Sequence, residues 1–111
     1  MESKFEYRLT QKADADLDGI VSYIAIELSN PKAASDFIDK LQKAIEEVLA
    51  FPESDSLAVN EYLPHVNVRK KLVGNYIMYY LPNYTEHEIF ILRIAYGKRN
   101  MDEILRQLND K

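Results

Sequence analysis

Arg69, Lys70 and Lys71 stand in one run, Arg93 follows, and Lys98 and Arg99 close the group. Residues 65–100 hold six basic and two acidic side chains, a local balance of +4 in a chain whose net charge is −4. Phosphate binding requires cations of this kind, because an arginine can engage a phosphate with two parallel N–H donors. Tyr79, Tyr80, Tyr84 and Tyr96 are interleaved with them, and aromatic rings supply stacking surfaces for bases. The pattern admits a plainer use as well. Charges on an exposed sheet face are ordinarily solvated, and tyrosine is a common strand residue.

The other chemistry-bearing residues are sparse. His65 precedes the basic run and is a candidate general acid or base at neutral pH. His87 sits between Glu86 and Glu88 and reads as a solvated turn residue. The two histidines lack metal-ligand spacing, and with no cysteine there is neither disulfide nor thiolate chemistry. Acidic residues are scattered over helix faces without an acid–base pair. No G-x-S-x-G, phosphate-loop or G-x-G-x-x-G pattern occurs, and Tyr96-Gly97-Lys98-Arg99 has one glycine only. No metal or cofactor is expected.

These residues need elements to position them. Residues 5–9 alternate apolar and polar, as a short first strand does. Thr10 can cap a helix whose apolar stripe is Ala13, Leu17, Ile20, Val21, Ile24 and Leu28. Ser29-Asn30-Pro31 marks a boundary, with Asn30 as cap and Pro31 at the first helical position. A second stripe follows: Ala34, Phe37, Ile38, Leu41, Ile45, Val48 and Leu49, ended by Phe51-Pro52. After a polar stretch the period changes to two. Val66, Val68, Lys70 and Leu72 share one face; Asn67, Arg69, Lys71 and Val73 share the other. Gly74-Asn75 is a tight-turn pair. Residues 76–81 and Glu88–Tyr96 are the next strands. Asn100 and Glu103 resemble a capping box for a short C-terminal helix docked by Met101, Ile104, Leu105 and Leu108.

The predicted order is β-α-α-β-β-β with a short C-terminal helix. That is an α+β fold in two layers, a helical hairpin packed on an antiparallel sheet. At 111 residues, 47% hydrophobic and 29% charged, the chain reads as one domain over 1–111 rather than a disordered segment. The N-terminal residues lack a signal-peptide stretch, and no apolar run nears the ~18 residues of a membrane span. A soluble, cytoplasmic protein is expected. Charge is segregated: residues 1–60 carry a balance of −6 and residues 61–111 a balance of +2. Any open sheet also leaves an edge that invites a partner strand.

Several runs carry a family likeness. Ala13-x-x-Asp16-Leu17-x-x-Ile20-x-x-Tyr23-Ile24 resembles the first helix of RelE/ParE-type toxins of bacterial type II toxin–antitoxin (plasmid stabilisation) systems. Pro31-x-Ala33-Ala34 and Leu49-x-Phe51-Pro52 resemble the ends of the family's second helix. Val68-Arg69, the run from Asn75 to Tyr80, and the run from Ile91 to Asn100 resemble its strands and terminal signature. The resemblance implies a growth-inhibiting toxin bound by a cognate antitoxin in a hetero-oligomer. It implies one of two targets: DNA gyrase, inhibited without cleavage as ParE-like members do, or ribosome-bound mRNA, cut without a metal as RelE-like members do.

For the cleaving branch the candidate catalytic residues are Arg69, Lys70, Lys71, Tyr96 and Arg99, with His65 as a further proton-transfer candidate. Arg69, Lys71, Arg93, Lys98 and Arg99 are the candidate contacts to a target or its phosphates. The family's cleaving members place an arginine after the tyrosine that opens the middle strand; here that residue is Ile77. Leu105 stands where they carry a tyrosine or histidine. Both departures, and the acidic balance, favour the non-cleaving branch. A family member that only binds its antitoxin is the remaining alternative.

Overall fold

The structure is a computed structural model, and it describes residues 5–53, 55, 57 and 67–97. The elements are β1 (Glu6–Leu9), α1 (Gln11–Ser22), α2 (Pro31–Ala50), β2 (Arg69–Val73), β3 (Tyr76–Asn83) and β4 (Glu88–Tyr96). A π-helical turn, Tyr23–Glu27, continues α1. His65, Lys98, Arg99 and the expected C-terminal helix lie outside the described residues.

Both helix starts follow from their caps. The Thr10 hydroxyl accepts from the Ala13 N–H at 3.1 Å, and the Asn30 side chain accepts from Ala33 at the same distance. Each satisfies one of the backbone donors that a helix start leaves unpaired. Thr10 does more than cap. Its hydroxyl also donates to the Leu92 carbonyl at 2.9 Å, and its N–H donates to the Ile91 carbonyl, so the junction between β1 and α1 is fastened to β4.

The sheet order is β1-β4-β3-β2. β2, β3 and β4 form the expected antiparallel meander, with a two-residue turn at Gly74-Asn75 in which Gly74 has φ +61°. β1 departs from the expected all-antiparallel arrangement. It pairs with β4 in parallel, Glu6 opposite Glu88 and Leu9 opposite Ile91. The helical hairpin carries the chain back over the sheet before β2, so β1 and β4 can run in the same direction. Pro82 is tolerated because β2 pairs with β3 no further than Tyr80.

Both helices cover one face of the sheet. Phe37, Leu41, Ile45 and Val48 of α2 and Ile24 of the π turn meet Val73, Met78, Tyr80, Ile89, Ile91 and Ile94. A smaller cluster of Val68, Tyr79 and Ala95 occupies the opposite face, with Ile77, Leu81 and Leu92 against it. Among the described residues no helix is long and apolar enough to cross a membrane.

Candidate functional site

The basic strand divides as its period of two requires. Arg69, Lys71 and Val73 point to the helix layer, while Lys70 and Leu72 point the other way, Lys70 exposed and Leu72 74% exposed. Lys71 Nζ lies 3.0 Å from the Glu47 carboxylate of α2 and 3.5 Å from that of Asp55. Arg69 Nη1 donates to the carbonyls of Glu53 and Asp55, holding the segment after α2 against β2. Among the described residues the buried Arg69 Nε has no hydrogen-bond partner. Tyr80 donates to Asp55 at 2.9 Å, and Tyr84 donates to Glu53 at 2.7 Å.

Asp55 therefore sits among Arg69, Lys71 and Tyr80. The described acidic groups here, Glu47, Glu53 and Asp55, outnumber the two cations. The cluster is built to hold the post-helix segment, not to present a net positive pocket. Burial and the Asp55 hydrogen bond push the Tyr80 hydroxyl well above its ordinary pKa, and burial does the same to Tyr79. Both stay protonated at neutral pH and cannot act as bases there. Both are also fully buried, so the expectation that they offer faces to bases is overturned; their rings are core.

Arg93 is likewise committed inward. Its Nε lies 2.7 Å from Asp16 of α1, and its Nη2 donates to the other carboxylate oxygen at 3.1 Å. The same carboxylate accepts the Ile94 N–H at 3.0 Å. Leu92 is the extra residue where the β3–β4 register shifts, a bulge of the kind that re-aims a neighbouring side chain. The expected role of Arg93 as a phosphate contact gives way to this pairing, since the guanidinium is buried and spans both Asp16 oxygens.

Tyr96 is half-exposed at the end of β4. Its ring meets Tyr76 edge-on at 5.6 Å, and Tyr76 meets Phe37 at 5.1 Å. Gly97 follows, its N–H donating to the Asn75 carbonyl at 2.8 Å; a Cβ there would approach that oxygen to 3.1 Å. This close crossing fixes where the chain leaves β4, and Lys98 and Arg99 come directly after it. Beside Tyr96 an open groove of about 910 Å³ runs between α1 and the ends of β3 and β4, lined by Gly19, Tyr23, Leu28, Tyr76 and Ile94 among others. His87 packs on Phe5 at 5.5 Å in the turn before β4. No metal-binding group of His, Cys, Asp or Glu occurs among the described residues. Asp55 and Glu47 had no distinguishing signal in the sequence, because each becomes a partner only when distant segments pack.

The family model for the ParE toxin of the type II toxin–antitoxin system parDE matches residues 7–101. The chain belongs to the ParE toxin family. This ParE-family chain is similar to a solved structure of the chromosomal ParDE toxin–antitoxin system from P. aeruginosa, with 21% identity, TM-score 0.67, and coverage of 87% of this chain and 100% of that one. It is also similar in fold to the RelBE2 toxin–antitoxin complex from Mycobacterium tuberculosis, with 16% identity, TM-score 0.59, and coverage of 83% and 96%. The archaeal RelE–RelB complex from Pyrococcus horikoshii OT3 gives 16% identity, TM-score 0.56, and coverage of 86% and 98%. A search of curated proteins finds no significant match.

Proposed function

We propose that this chain is the toxin of a type II toxin–antitoxin pair, acting in the cytoplasm, and that it inhibits a protein target such as DNA gyrase without cutting RNA. Family membership supports the toxin role, and relatives of the same fold were solved as toxin–antitoxin complexes. The observation that carries the non-cleaving reading is the middle strand. Ile77, at the position where the cleaving relatives place an arginine, packs with Val68, Tyr79 and Ala95. The neighbouring cations do not compensate, since Arg69, Lys71 and Arg93 are engaged inside the fold. Transition-state charge on a transferring phosphate needs preorganised donors aimed at it.

The second reading is a RelE-like endonuclease of ribosome-bound mRNA. Lys70, exposed on the Ile77 face, favours it, with Lys98, Arg99 and Tyr96 as its remaining candidates. Two assays separate the readings. Purified chain is added to gyrase supercoiling reactions and to translating ribosomes carrying a defined mRNA. Loss of supercoiling with intact mRNA is the expected result. Cleaved mRNA, abolished by Arg99→Ala, would overturn it in favour of the endonuclease. Normal growth of cells expressing the chain alone would leave only an antitoxin-binding role.

A further inference from the structure

The C-terminal end of α2 borders a second cavity. Phe51 precedes Pro52, and the residue before a proline is pushed out of the helical region. Phe51 accordingly leaves the helix at φ −139° and ψ 78°, and it stands 69% exposed. Phe5, just ahead of β1, and Tyr84, just after β3, meet edge-on, with ring centroids 5.7 Å apart and planes at 89°. His87 packs on Phe5 from the turn before β4. With Ala50, Pro52 and Glu53, the rings of Phe5, Phe51 and Tyr84 line an open cavity of about 470 Å³.

The electrostatics there are one-sided. α2 has no basic residue in its last turn. Lys43 comes seven positions before Ala50, about 10 Å back along the axis. The negative end of the helix dipole, which favours cations, is therefore not offset by its own element. The Glu53 carboxylate accepts from the Tyr84 hydroxyl at 2.7 Å and forms no ion pair among the described residues. Cations on the neighbouring strands are engaged elsewhere. Lys71 meets Glu47 and Asp55, Arg8 meets Glu88, and Arg69 donates to the Glu53 and Asp55 carbonyls. Burial and the Glu53 bond raise the Tyr84 pKa against the opposing pull of Arg69, so the hydroxyl remains a donor to this carboxylate at neutral pH.

Two perpendicular rings, a third exposed ring and one carboxylate are the parts that hold a flat cation. A guanidinium lies over a ring within about 6 Å of its centre while its edge donates twice to a carboxylate. It is also more weakly hydrated than an ammonium. We propose that this cavity receives an arginine side chain of a partner protein, stacked among Phe5, Phe51 and Tyr84 and paired with Glu53. A protein carrier follows from the openness of the walls. Sites for free small molecules enclose most of the ligand surface, whereas Phe51 is 69% and Tyr84 43% exposed, leaving the flanks for further contacts. The cavity shares no lining residue with the groove beside Tyr96. The assignment depends neither on the choice between gyrase and ribosome nor on the toxin reading itself.

The test follows the full chain by NMR during titration with blocked peptides of equal length that carry arginine, lysine or norleucine at the centre, and with free arginine amide. The ring signals of Phe5, Phe51 and Tyr84 should move with the arginine peptide at millimolar concentrations. The lysine peptide and free arginine amide should bind several-fold more weakly, and the norleucine peptide should leave the signals in place. Glu53→Gln keeps an acceptor for Tyr84 but loses the charge, and should weaken the arginine peptide about tenfold. Phe51→Ala should weaken it several-fold; both positions are exposed, so both variants should keep the wild-type Tm. No movement with the arginine peptide up to about 50 mM would overturn the proposal. So would equal binding of the lysine or norleucine peptide, or unchanged affinity in either variant. Free arginine amide binding as tightly as the arginine peptide would overturn the protein carrier in favour of a free small cation.

Discussion

Asp16 accepts three hydrogen bonds from two consecutive residues of β4, two from the Arg93 guanidinium and one from the Ile94 N–H. β1 pairs no further along β4 than Ile91, so this carboxylate takes the place of a strand at the edge beyond it. Breaking a mostly buried ion pair by removing one member is strongly destabilising, by about 3 kcal/mol or more. Arg93→Ala and Asp16→Ala should both destabilise on that scale. Asp16→Ala should cost roughly 1 kcal/mol more, because it also strands the Ile94 donor. Together they should cost clearly less than the sum of the two, as partners in one network do. Urea unfolding of the four proteins checks this, and additive, equal losses would contradict it. Tyr80 makes a different claim. Its folded pKa lies above the ordinary value, so its contribution is full below about pH 10 and is lost as pH rises beyond that. Tyr80→Phe should cost about 1 kcal/mol at neutral pH for the lost Asp55 bond and should flatten the alkaline decline. Unfolding midpoints between about pH 8 and 11 would expose an error: an unchanged slope would mean that Tyr80 is not the titrating group.

Ser29 closes the first helix in the left-handed region, with φ +50°. Helices commonly end in this conformation, and glycine adopts it without a Cβ penalty. The penalty for another residue is about 1–2 kcal/mol, and glycine gives back about 0.5–1 through unfolded-chain entropy. Ser29→Gly should therefore raise stability by about 0.5 kcal/mol, or 2–4 °C in Tm for a domain of this size. A lower Tm in a thermal melt would refute it. The elements themselves were legible because their signals are local. Thr10, Asn30-Pro31 and Gly74-Asn75 punctuate the chain where helices and turns begin, and the alternation in residues 66–73 places Arg69 and Lys71 opposite Lys70. What stayed hidden is long-range. Periodicity carries no record of which strand β1 joins, and Arg93 meets a partner 77 positions earlier in the sequence. The basic run reads as one surface in the sequence. Packing divides it between two sheet faces and supplies counter-ions from the helical layer.

Across the whole molecule, charge sets the limit on nonspecific nucleic-acid binding. The net charge is −4, and the cations of β2 and β4 on which phosphate binding was expected are engaged by Asp16, Glu47, Asp55 and loop carbonyls, apart from the exposed Lys70. Each phosphate contact on a single strand contributes about 0.7 to the slope of log affinity against log salt, and nonspecific binders reach about 1–100 µM by making several such contacts. One exposed lysine on this sheet predicts a slope near 1 and an affinity for generic single-stranded RNA weaker than about 100 µM at 0.15 M salt. Fluorescence anisotropy with a labelled RNA of about 20 nucleotides, titrated at about 0.05 and 0.15 M salt, measures both quantities. The result bears directly on the choice of target. A weak, shallow response fits a toxin that recognises a folded protein surface. Micromolar binding with a slope of several would require Lys98, Arg99 or further cations to converge with Lys70, and would return the balance to the endonuclease.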